Sequence, residues 1–115
     1  MNFEISEQDG IQVIALSGKI MGGPEASQIN EKINSLIDEG KKNIIIDLEK
    51  VDWMNSSGLG ILIGAIQTLK NNDGNLYLIH VSDRINELLR ITKLINVFKI
   101  MPDLPSAVNA ILTRA

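Results

Sequence analysis

The chain has 115 residues, no cysteine, one histidine, a net charge of −3 and 44% hydrophobic residues. That length suits one domain able to bury roughly two-thirds of its unfolded surface, and without cysteine there are no disulfides, thiolate zinc sites or cysteine nucleophiles. An acidic balance with only 3% aromatic residues supplies neither the basic footprint nor the stacking platforms of a nucleic-acid binder.

The N-terminal residues carry no basic segment followed by an apolar one, so no signal peptide is expected. No run approaches the roughly 18 apolar residues of a membrane span. The expectation is a cytoplasmic protein that does not engage a membrane. Phe3 to Ser6 reads as a short strand, and Asp9-Gly10 is a hairpin signal that returns the chain along Ile11 to Leu16. Gly18 to Pro24 reads as a loop, with Pro24 placed to open a helix. Ala26, Ile29, Ile33, Leu36 and Ile37 trace one face of that helix, which runs to Glu39 and stops at Gly40.

Asn43 to Leu48 is a nearly continuous apolar run, the pattern of a central parallel strand covered on both faces. A helix follows from about Ser57 to Lys70, with Leu59, Leu62, Ile63, Ile66 and Leu69 at helical spacing. Asn71 to Gly74 is a turn, and Asn75 to Val81 is another strand. Ser82-Asp83 can cap a third helix with Ile85, Leu88, Leu89 and Ile95 inward. Val97 to Met101 reads as an edge strand ended by Pro102. A last helix opens at Leu104 or Pro105, with Ala107, Val108, Ile111 and Leu112 inward. The order β, β, α, β, α, β, α, β, α implies an α/β fold: a small mixed sheet of four or five strands, right-handed crossovers and about four helices in one domain spanning residues 1–115.

The informative segment is Val51 to Gly60, where two serines sit at a strand-to-helix junction. A helix N-terminus exposes unpaired N–H groups and the positive end of its dipole. Ser56, Ser57 or Asn55 can cap such a helix, and a phosphate on a serine there would also be stabilised. Gly58 and Gly60 would let a partner or a phosphate come close, while Gly60 and Gly64, four apart, would also suit close helix packing. His80 has no second ligand or nucleophile in view and reads as structural or solvent-facing. Asp47 and Asp52 read as ordinary strand-end carboxylates. No metal site, catalytic residue or cofactor is expected.

The order of elements, the glycine after the second strand and Met54-Asn55-Ser56-Ser57-Gly58-Leu59-Gly60 resemble a STAS domain, in particular the bacterial anti-sigma factor antagonists. The resemblance runs from Phe3 to Leu112. It implies a partner-switching regulator: an anti-sigma factor that is also a serine kinase binds the unmodified antagonist and phosphorylates it, and a PP2C-type phosphatase resets it. By that resemblance the phosphorylated residue is Ser56, with Ser57 as second choice. The expected partner-binding set is Met21, Trp53, Met54, Asn55, Ser57, Gly58, Leu59 and Gly60, on a chain that is monomeric when unbound. Asn55 and Met21 stand where the family often carries acidic residues, so negative charge is lower around Ser56. Two other readings share these residues. One is a non-phosphorylated STAS subunit of a transport or signalling complex. The other is a small nucleotide-binding domain, although Gly58-Leu59-Gly60 lacks the lysine of a P-loop.

Overall fold

The computed structural model describes residues 2–113, so the expected domain ends at 1 and 115 lie outside the described residues. The chain opens as a hairpin of β1 (Asn2–Gln8) and β2 (Ile11–Ile20). Asp9 and Gly10 both take positive φ, 54° and 80°, as a two-residue hairpin of this type requires. Three parallel strands follow: β3 (Asn43–Met54), β4 (Asn75–Ile79) and β5 (Lys99–Met101). The sheet order is β1-β2-β3-β4-β5, with β1 antiparallel to β2 and every other neighbour parallel.

Helices α1 (Pro24–Asp38), α2 (Ser56–Asn71) and α3 (Asp83–Ile91) bury their apolar residues in one cluster with Ile14, Ile44, Ile46 and Leu78. Helix α4 (Leu104–Leu112) covers the opposite face, where Val13, Ile45, Tyr77 and Ile79 meet Ala107, Val108 and Ile111. Alternate residues of each strand thus feed different layers. Ile44, Ile45 and Ile46 are fully buried because β3 has helices on both sides.

Several elements depart from the sequence reading. The loop expected from Gly18 begins later, because β2 continues to Ile20 through two register irregularities and pairs with the tail of β3. Lys19 lies opposite Trp53 and Ile20 opposite Met54, so the segment before the serines is strand and not loop. Strand β4 stops at Ile79, two residues early, because His80 adopts φ 55°, which no strand can continue. Strand β5 starts at Lys99, and Val97 before it is exposed. Ile95 lies beyond α3 and packs on the core from the following turn. Leu112, expected inward, is the last residue of α4 and is 58% exposed.

Candidate functional site

The junction between β3 and α2 is set by Asn55. Its extended backbone (φ −101°, ψ 179°) makes it the N-cap, and its Oδ1 accepts the Gly58 amide at 2.6 Å. The Asn55 carbonyl accepts the Leu59 amide at 3.0 Å, and the Asn55 amide reaches back to the Ile20 carbonyl at 3.4 Å. Capping therefore falls to the asparagine. Ser56 and Ser57 become the first two helical residues, and both are exposed. Their amides lie outside the helical ladder by position, whereas that of Gly58 is already held. No acidic residue occupies the first turn of α2.

Gly58 serves the fold. A Cβ there would lie 2.0 Å from the Ile20 carbonyl oxygen, so the first turn of α2 rests directly on the end of β2. The close approach expected of an outside partner at Gly58 is taken by the chain itself. Gly22, at φ 88°, lies against Ser57 in the same way, with a Cβ 3.0 Å from the Ser57 carbonyl oxygen. Met54, Gly58 and Leu59 are buried, and Met54 and Leu59 belong to the main core. Their side chains are thus turned inward from the predicted partner surface, because the extended β3 and the packed first turn carry them beneath it.

The other members of that surface are open. Met21 is 46% exposed and Trp53 37%, and the two lie together at the surface. With Lys19, Asp52 and Arg84 they line a cleft of about 410 Å³. Arg84 comes from the start of α3, and nothing near it in the sequence signals that it joins this group. Gly60 and Gly64 face a shallow groove between α1 and α2, and a Cβ on either would meet nothing within 4 Å. Close helix packing is therefore not what these two glycines do.

A second group of polar residues gathers where β4 ends beside the middle of β3. His80 Nδ1 lies 2.9 Å from Asp47 Oδ1 and 3.8 Å from Glu49 Oε2. Asp47 Oδ1 also accepts the Glu49 amide at 2.9 Å. Asp103 caps α4, accepting the Ser106 amide at 2.9 Å. Its carboxyl is held below the usual range by hydrogen bonds from the Ser106 side chain and then its backbone, with a smaller contribution from His80. His80 thus has the carboxylate neighbours that the linear sequence did not reveal.

The sequence pattern of the STAS domain family matches residues 2–107. An anti-sigma-B factor antagonist of Staphylococcus aureus is 33% identical over 94 residues, covering 82% of this chain and 86% of that protein. The chain belongs to the STAS domain family. Within it, the chain groups with the anti-sigma factor antagonists. Solved STAS structures share its architecture. An anti-sigma factor antagonist from Mycobacterium paratuberculosis superposes with a TM-score of 0.80 at 23% identity, covering 96% of this chain and 93% of that one. The phosphorylated form of the Bacillus cell fate determinant SpoIIAA gives 0.73 at 24% identity, with 96% and 99% covered. Among the described residues of this STAS domain, no helix is long and apolar enough to cross a membrane.

Proposed function

We propose that this chain is the antagonist of a phosphorylation-controlled partner switch. Unmodified, it binds an anti-sigma factor that is also a serine kinase; phosphorylation of Ser56 ends that binding, and a PP2C-type phosphatase restores it. The chain acts in the cytoplasm by binding and not by catalysis. The observation that carries this reading is the division of labour at the junction. Asn55 holds the helix N-terminus, so Ser56 stands exposed beside it and is not needed for the cap.

Phosphorylation adds about −1.5 to −2 charges. At a helix N-terminus a charge is favoured by roughly 0.3–1 kcal/mol, and the amides of Ser56 and Ser57 are the donors placed for it. The fold therefore tolerates the modification. A partner packed over the same turn does not: a dianion trapped in a partly desolvated interface costs several kcal/mol, about a hundredfold or more in affinity. Local charge is enough to switch the complex, without a change of shape in this domain. The docking face comprises Met21, Trp53, Asn55, Ser57 and Gly60, with Trp53 as an aromatic anchor and Met21 as an adaptable contact.

Intact mass after incubation with the cognate kinase and ATP tests the reading. A gain of about 80 Da that disappears in Ser56→Ala is expected. No gain, with binding retained, would identify a constitutive binding module instead; a gain that persists in Ser56→Ala would move the switch to another residue.

A further inference from the structure

We propose that Asp47, Glu49 and His80 form a binding site for one divalent transition-metal ion of the zinc class, with water completing its coordination. The site shares no residue with the Ser56 junction and does not depend on its phosphorylation. One potential ligand atom from each of the three side chains lies within 4.8 Å of the other two. Ligands held about 2.0–2.2 Å from a metal lie roughly 3–3.6 Å apart at octahedral or tetrahedral angles. The separations of 2.9 and 3.8 Å from His80 Nδ1 bracket that range. Small side-chain rotations would bring all three onto one ion.

The sheet preorganises the group. Asp47 is the register partner of Ile79, so His80 follows directly from the strand pairing. The Glu49 amide bound to Asp47 Oδ1 holds that carboxylate in place, as a supporting contact does for a metal ligand. Two features make a cation a better occupant than a hydrogen bond alone. First, Nδ1 carries at most one hydrogen and cannot serve both Asp47 and Glu49 well. A metal ion bound to the nitrogen can serve both. Second, among the described residues neither Asp47 nor Glu49 forms an ion pair with a lysine or arginine. Two carboxylates outweigh one imidazole in either of its protonation states, which leaves net negative charge for an ion to neutralise.

The donor set chooses the class of ion. Imidazole suits zinc and its neighbours, whereas magnesium and calcium prefer oxygen throughout. All three side chains are partly exposed, with His80 at 32%, so an ion can enter from solvent and keep bound water.

The test exploits the composition: the chain has one histidine and no cysteine, so any zinc–imidazole signal reports His80. Tag-free protein is titrated with zinc chloride, following heat and the imidazole NMR resonances. The expected result is one equivalent bound with micromolar affinity and a shift of the His80 resonances. Affinity should fall at least about tenfold in both His80→Ala and Glu49→Gln. Magnesium or calcium at the same concentrations should leave the imidazole unchanged. Glu49 is largely exposed, so Glu49→Gln keeps the fold and remains informative if His80→Ala is unstable. No imidazole shift up to about 100 µM zinc, or binding undiminished in either variant, overturns the proposal.

Discussion

Gly58 and Ile20 approach so closely that a Cβ on the glycine would lie 2.0 Å from the isoleucine's carbonyl oxygen. This contact seats the first turn of α2 on the end of β2. It thereby sets the height at which Ser56 meets solvent. Because the opposing atom is backbone, it cannot swing away as a side chain would.

Gly58→Ala should therefore destabilise the domain by about 1–3 kcal/mol or more. Gly60→Ala is the contrasting case, since that Cβ enters open space on a helix. It should stabilise by up to about 1 kcal/mol through helix propensity. Urea unfolding of both variants gives the comparison, and equal destabilisation would contradict the packing account.

Asn55→Ala removes the acceptor of the 2.6 Å bond from the Gly58 amide and should cost about 1 kcal/mol. Asn55→Asp keeps an acceptor and adds a charge that the helix dipole favours, so its melting temperature should equal or exceed that of the parent. Thermal melts at low ionic strength show this most clearly.

Ser56→Asp should melt within a few degrees of the parent yet bind the anti-sigma factor far more weakly, by about tenfold or more. Calorimetric titration against the purified partner measures the loss. A mimic that binds as tightly as the parent contradicts the switch.

Trp53 and Met54 are neighbours in sequence but lie on opposite sides of the surface. Trp53→Ala should weaken partner binding by roughly 1–2 kcal/mol with little change in stability. Met54 is only 5% exposed, so Met54→Ala should lose about 2–5 kcal/mol of stability. A melting scan beside a binding curve separates the two effects.

Asp103 supplies a pH dependence. Its folded pKa is lowered from the ordinary value of 3.8, so the stability it adds is present above that value and is lost as pH falls through the folded one. Asp103→Asn should flatten the acid side of the stability profile below about pH 4. Urea midpoints between pH 2 and 6, about two units either side of the ordinary carboxylate value, report the slope.

Much of the fold was legible in short stretches of chain. Asp9-Gly10 announced the hairpin, Ile44 to Ile46 the central strand, Pro24 the start of α1 and Ser82 the cap of α3. Each depends on contacts within a few residues. The tails of β2 and β3 were not legible, because Lys19, Asp52 and Trp53 lack an apolar alternation and the register irregularities break its period. That pairing turned Met54 inward and left Trp53 outward, a choice invisible from composition.

Local backbone chemistry in the sequence thus determined the order of elements, the strand-to-helix junction and the presence of serines at its start. The tertiary structure alone decided which glycine supports packing, that Trp53 faces outward while Met54 is buried, and that His80 meets a carboxylate 33 residues away. The physical reason is distance along the chain. Propensity and spacing act over a turn or a strand, whereas burial and side-chain convergence are set by elements that meet only after the sheet has formed.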